Sequence, residues 1–339
     1  MARAWPLWTG LGSALLALSL LGSLASARSL SARAAAPAPD AAFAAATTAS
    51  DLRLTLTLHG YSPSDRFSAP EGIAIDPRNR LLYIADTGKG RVIGFSLQGL
   101  PKFALKLTGV LAPRDMAVDE KGRVFIADKE APTIVAVDSQ GKTVLRIDLT
   151  GAGAMGAPRI RGLAIDHQGR LYIGDQASAQ VLVCDTDGHV LSRIGVPGEQ
   201  RGQLKMIEDV ALDRAGRVYV VDSVGTSVNV FDPGGKFIFR FGRISPDTSN
   251  GYLRGPAAIA LDRHDQLWVV DEEGHMLQVF DGRGFPLRSF GGDTVGATVT
   301  FLFPSAVAED GLGHLYVAEK GADRVRVFAL REPFLPFRQ

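Results

Sequence analysis

The chain contains 339 residues, of which 46% are hydrophobic, and its 37 basic and 36 acidic side chains give a formal net charge of +1. This balance argues against a nucleic-acid binder and against polybasic attachment to an acidic membrane, because both need a basic excess. The single cysteine, Cys184, excludes an intramolecular disulfide and a cysteine zinc cluster.

Residues 1–27 have the order of a secretory signal peptide. Arg3 precedes an apolar stretch from about Leu7 to Leu24, and Ala25-Ser26-Ala27 supplies the small residues that signal peptidase recognises. We expect cleavage after Ala27 and no stable membrane insertion afterwards; the alternatives are cleavage a few residues later and an uncleaved anchor. The sequence therefore predicts an exported protein, periplasmic or extracellular. Residues 28–50, rich in Ala, Ser and Pro, are predicted to be a flexible spacer.

Residues 51–330 repeat one pattern six times. Each copy opens with an apolar-Ala-apolar-Asp segment and continues through a polar turn into an apolar strand that ends in an acid. The opening acids are spaced by 43 residues (Asp76 to Asp119) to 49 residues (Asp213 to Asp262), which is the length of four short strands with their turns. Four antiparallel strands repeated six times predict an all-β fold, a six-bladed β-propeller.

The last repeat lacks a fourth strand at its C-terminal end. The segment after Phe328 contains Pro333 and Pro336, which disqualify it as a regular strand, so residues 331–339 are predicted to be a tail. The segment Leu52–Leu58 alternates apolar and polar residues and is predicted to close the ring as the outer strand of blade six. The alternative is a stray strand outside an incomplete ring.

The repeats carry the motifs Pro70-Glu71-Gly72-Ile73-Ala74 and Tyr83-Ile84-Ala85-Asp86, with Phe-Gly junctions between blades such as Phe241-Gly242. In these features residues 52–330 resemble the NHL-repeat family of six-bladed propellers. The family's arginine five residues after the acid is present only at Arg91 and Arg324. The resemblance implies the propeller fold and says much less about function.

Successive strands of a blade run in opposite directions, and we call this alternation strand parity. It places the starts of the first strands, the ends of the second strands and the longest loops on one face, here called the loop face. The candidate binding site is predicted on that face. The positions there that ring the central channel include six charged residues: Glu71, Arg114, Asp115, Arg161, Glu208 and Asp209. The equivalent positions of blades five and six are small, for example Ala257 and Ser305. We interpret the charged half as a polar ligand site. The alternative is two Glu–Arg ion pairs among solvated turn residues.

Other reactive side chains are interpreted as structural. The acids that end the second strands occur in every blade, so they are expected to accept backbone N–H bonds. Cys184 lies in an apolar run and is expected to be a buried thiol. Only one histidine, His275, is expected in a loop on the loop face, and no catalytic residue is assigned.

The sequence favours an exported binding or scaffold propeller, a monomer that recognises a protein, peptide or glycan through its loop face. The alternative, implied by resemblance to propeller enzymes, is a divalent-metal-dependent hydrolase, lactonase or lyase with its site at the channel. Its oxygen ligands would be Glu71, Glu208 and Asp209, with Asp115 beside them. Because these positions contain no histidine or cysteine, we expect no zinc, no other cofactor and at most weak Ca²⁺ binding. RNA binding, known for some animal NHL domains, fits poorly with the neutral charge.

Overall fold

The computed structural model describes residues 51–242, 251–292 and 299–331. Within these ranges the chain forms six four-stranded antiparallel sheets and no α-helix, which confirms the six-bladed β-propeller. No helix among these residues could cross a membrane. The predicted signal peptide, the spacer and residues 332–339 of the predicted tail lie outside the described residues, so these predictions stay untested.

The two inner strands of each blade begin and end close to the predicted positions. The first strands line the axis and are Pro70–Asp76, Pro113–Val118, Ile160–Ile165, Ile207–Leu212, Pro256–Leu261 and Pro304–Glu309. The second strands are Leu81–Asp86, Val124–Asp128, Leu171–Asp175, Val218–Asp222, Leu267–Asp271 and His314–Glu319.

The two outer strands complete each blade. The third strands are Arg91–Ser96, Thr133–Val137, Gln180–Cys184, Ser227–Phe231, Met276–Phe280 and Arg324–Leu330. The fourth strands are Pro101–Leu105, Thr143–Asp148, Val190–Ile194, Phe237–Phe241, Pro286–Gly291 and, in blade six, Leu52–Leu58. Short additional pairs join Gly60–Ser62 to Asp65–Arg66 and Val196–Pro197 to Gln203–Leu204.

The core lies between the blades and is built on the second strands, which are apolar on both faces because each sheet packs against two neighbours. Tyr83 of blade one is fully buried in a cluster with Val124 and Ile126 of blade two. Trp268 of blade five packs in the same way with Leu315 of blade six. Because each cluster joins two neighbouring sheets, the ring is stabilised as a closed whole.

The N-terminal strand closes the ring, as predicted. Leu52–Leu58 pairs antiparallel with Arg324–Leu330, from Leu52 opposite Leu330 to Leu58 opposite Val325. Leu52 and Leu58 are buried at the two ends of this strand. The strand therefore covers an edge that would otherwise be open for pairing with other chains.

The acids that end the second strands are structural, as interpreted. Asp271 accepts hydrogen bonds from the backbone N–H groups of Arg254, Gly255 and Gly274 at 2.8–3.0 Å. Asp86 accepts one from Ser68 at 2.7 Å, just before the first strand of the same blade. These bonds join the end of the second strand to the start of the first, so both lie on the loop face.

Candidate functional site

The first strands enclose a central channel of about 370 Å³. Its middle is lined by the predicted alanine column, Ala74, Ala117, Ala164, Ala211, Ala260 and Ala308. Its loop-face end, here called the channel mouth, is lined by the six predicted charged residues together with small residues of blades five and six. The structure therefore brings all six predicted site residues together.

A backbone irregularity positions these side chains. Every first strand shifts its register at its first residues, for example between Pro113 and Asp115 and between Ile207 and Asp209. Such bulges redirect side chains that would otherwise alternate between two faces. As a result, both Arg114 and the following Asp115 line the channel.

Arg114 is the centre of the charged half. Its guanidinium donates to Glu71 Oε2 at 2.5 Å and to Glu208 Oε2 at 2.8 Å, so it joins blades one, two and four. Its Nε also donates to the backbone oxygen of Arg161 at 3.3 Å. The two Glu–Arg ion pairs of the alternative interpretation are therefore present, and a single arginine makes both.

Two residues that the sequence interpretation missed complete this network. Lys129 Nζ donates to Glu71 Oε1 at 2.8 Å, and Gln176 Nε2 donates to Glu208 Oε1 at 2.9 Å. Burial alone would raise the pKa of Glu71, but Arg114 and Lys129 outweigh it and the pKa is lowered. Both residues directly follow a strand-end acid on the loop face, a position that the parity argument could have included.

Arg161 has a different environment. Its Nε donates to Gln176 Oε1 at 3.2 Å, and in the described part of the chain no carboxylate lies within ion-pair distance of its guanidinium. Partial burial and the nearby charge of Arg114 lower the pKa of Arg161. The channel mouth thus contains a guanidinium that Glu208 and Glu71 attract only from beyond ion-pair distance.

Asp115 and Asp209 connect neighbouring first strands. Asp115 accepts backbone N–H bonds from Met116 at 2.8 Å and Leu163 at 2.7 Å. Asp209 does the same with Val210 at 2.7 Å and Ile259 at 2.8 Å. The two carboxyl groups are neighbours in the channel. Burial raises the pKa of Asp115 to about 6. Burial and the nearby charge of Asp115 raise the pKa of Asp209 well above its ordinary value.

The carboxylates named for a metal site already have partners. Glu71 and Glu208 each use both oxygens in the Arg114 network, and Asp209 uses both for backbone N–H groups. A divalent ion at Glu71 or Glu208 would share these oxygens with hydrogen-bond donors and be repelled by the positive charge of Arg114. His275 does not line the channel; its Nδ1 accepts from the Phe303 backbone N–H at 3.2 Å.

Comparisons with known proteins give similarity at the level of structure only. No protein-family model and no curated protein matches the chain. A protein of unknown function from Bacteroides thetaiotaomicron is 18% identical, with a TM-score of 0.64 over 79% of this chain and 71% of that one. Virginiamycin B lyase from Staphylococcus aureus is 13% identical, with a TM-score of 0.59 over 83% of this chain and 100% of that one. A catalytically inactive histidine-to-alanine variant of that lyase, crystallised with quinupristin, matches equally well.

At these identities the similarity shows the fold alone. The chain shares the propeller architecture with proteins of unknown function and with a lyase. The NHL assignment is not tested by a family match. The chain is therefore a six-bladed β-propeller with a charged channel mouth.

Proposed function

We propose that this protein is an exported, monomeric binding propeller that recognises a protein, peptide or glycan ligand through its loop face, with the ligand seated at the channel mouth. The observation that carries the proposal is the asymmetry of this mouth. Blades one to four contribute the Arg114 network and Arg161, whereas blades five and six contribute the small side chains of Ala257 and Ser305. The space beside the small residues is where a ligand can approach the charged groups.

The Arg114 network suits recognition because its groups are fixed in advance. Two glutamates from blades one and four hold Arg114, and Lys129 and Gln176 hold the glutamates. Binding to side chains that are already ordered costs little conformational entropy. The rigid ring thus supports a preformed polar site.

An enzyme remains the alternative function, because virginiamycin B lyase has the same fold. A histidine-to-alanine change inactivates that lyase. Among the described residues that line the channel of this protein there is neither histidine nor cysteine. The carboxylates that remain are engaged in the contacts described above, which favours binding over metal-dependent hydrolysis or elimination.

The test is a screen of the purified protein on peptide and glycan arrays, repeated with Arg161→Glu. We expect Arg161→Glu to remove the signals, because Arg161 faces the channel mouth. The matched control is Arg283→Glu, an exposed arginine in a hairpin between the third and fourth strands of blade five, on the opposite face. Equal loss in both variants would contradict a loop-face site. Stoichiometric metal by elemental analysis, lost together with a turnover activity when Glu71 is replaced by alanine, would favour the enzyme.

A further inference from the structure

We infer that the ligand of the channel mouth is a peptide that places a carboxylate group on the Arg161 guanidinium. This inference rests on the proposed binding function and names the class of ligand.

Arg161 differs from two other arginines near the loop face, both of which are paired with carboxylates. Arg91 pairs with Asp65 and Asp86, and Arg324 pairs with Glu319. Arg161 instead makes one side-chain hydrogen bond, to the Gln176 amide, while its guanidinium is half-buried in the mouth. A partly desolvated charge without a directly paired carboxylate is unfavourable, and an incoming anion reduces that cost.

The charges around Arg161 favour an anion over any other ligand group. Arg114 lies beside it and Arg159 lies close enough to lower its pKa further. Arg159 is exposed and has no carboxylate within ion-pair distance in the described ranges. Glu208 and Glu71 are the acids that act on Arg161, and their oxygens already accept hydrogen bonds from Arg114, Gln176 and Lys129. A ligand anion therefore meets two arginines without having to displace a protein carboxylate.

The geometry of the free donors selects a carboxylate. Gln176 accepts a hydrogen bond from Nε of Arg161 and so fixes the guanidinium. The two terminal nitrogens of Arg161 have no carboxylate within ion-pair distance among the described residues. Two parallel N–H groups of this kind match the two oxygens of a carboxylate. Gln176 is in this view a positioning residue.

The rest of the mouth favours a peptide over a glycan. Opposite the charged half, the lining consists of the methyl groups of Ala257, Ala258 and Ala306, and the Ser305 hydroxyl already donates to the Pro70 carbonyl at 2.7 Å. The described lining contains no aromatic side chain. A sugar would bury several hydroxyl groups against these methyls without partners, whereas the aliphatic carbons next to a peptide carboxylate fit there at no such cost.

The experiment uses an array of short peptides made in matched forms. One form has an acidic side chain and an amidated C-terminus, a second has neutral side chains and a free C-terminal carboxylate, and a third has neither. Oligogalacturonate supplies the carboxylate on a glycan. We expect the protein to bind peptides of the first or second form at least tenfold more tightly than the third. The form that binds identifies which carboxylate is recognised.

Two variants assign the binding to Arg161. Arg161→Gln should lose the carboxylate preference. Arg161→Lys should retain only part of it, because lysine keeps the positive charge but lacks the two parallel N–H groups of the guanidinium. Arg283→Gln is the control, and unchanged thermal unfolding shows that the variants are folded. Equal binding of acidic and neutral peptides, or no peptide binding, overturns the inference. If oligogalacturonate or another glycan alone binds, and Arg161→Gln removes that binding, the ligand class is wrong and the proposed binding function stands.

Discussion

The carboxyl groups of Asp115 and Asp209 are electrostatic neighbours in the channel, although they belong to blades two and four. Blade three lies between them, and its Gly162 packs directly against the backbone of Asp209 and Val210. A Cβ at this position would lie 2.6 Å from the Asp209 Cα. Each carboxyl group is held by two backbone N–H groups, so neither can turn away from the other.

This pair should make folding stability depend on pH. Its pKa values are raised in the folded protein, so between the ordinary aspartate pKa of about 3.9 and the raised values the folded state binds more protons than the unfolded state. Stability contributed by the pair is therefore present at low pH and is lost as pH rises through this window. The loss is about 1.4 kcal/mol for each unit by which a folded-state pKa exceeds the unfolded one.

Urea unfolding at a series of pH values between 5 and 8 measures this loss. Asp209→Asn removes the repulsion and should flatten the pH dependence relative to the unmodified protein. Asp281→Asn, in an exposed hairpin turn, is the control and should leave the dependence unchanged. Parallel curves for the unmodified protein and Asp209→Asn would show that the pair retains no proton.

Gly162→Ala should destabilise the ring. The new Cβ would lie 2.5 Å from the backbone nitrogen of Val210, so blades three and four would have to move apart. Overpacking of this kind costs about 1–3 kcal/mol. Gly151→Ala is the control, because nothing lies within 4 Å of a Cβ at that position. Denaturant unfolding measures both, and equal stability of the two variants would contradict the close approach.

Removal of residues 52–58 should leave an open strand edge on blade six and cause association between chains. Size-exclusion chromatography and thermal unfolding test this expectation. A variant that stays monomeric and melts at an unchanged temperature would show that the ring is closed in another way.

Single substitutions in the same strand test the packing. Leu58→Ala should cost about 2–5 kcal/mol, because Leu58 is buried against Val325 and Val327. Leu54→Ala should cost less than about 0.5 kcal/mol, since Leu54 is 49% exposed. If the two variants unfold at the same denaturant concentration, the strand does not pack as described.

Cys184 should be unreactive in the folded protein. The residue is fully buried, and burial together with Asp185 raises the pKa of its thiol to about 11. The thiolate is the reactive form, so a thiol reagent at pH 8 should label the chain only after unfolding in urea. Rapid labelling under native conditions would contradict the buried position.

We predict that the chain is exported and that its mature form begins near Arg28. Mass spectrometry of the secreted or periplasmic product tests this, and a product that retains residues 1–27 would contradict the signal peptide. A start a few residues after Arg28 would support the alternative cleavage site.

The sequence by itself determined the architecture. The sequence repeats with a period of one blade, and the same acids and alanines recur in each repeat. Each recurring residue meets the same structural need in every blade, so the pattern can be recognised along the chain. The alternation of Leu52–Leu58 likewise identified the strand that completes blade six. The six residues of the channel mouth could be predicted for the same reason, since strand parity places equivalent positions of each repeat on one ring.

Only the tertiary structure decided how these charges pair. Arg114 takes both Glu71 and Glu208, which are 43 and 94 residues away in the chain, and Arg161 is left without a carboxylate. It also decided that Asp115 and Asp209 bind backbone groups of the next blades and lie beside each other. The partners of these side chains depend on the register shift at the start of each first strand and on the distance across the ring. These two features set which groups a side chain can reach, and the spacing of residues along the chain predicts neither of them.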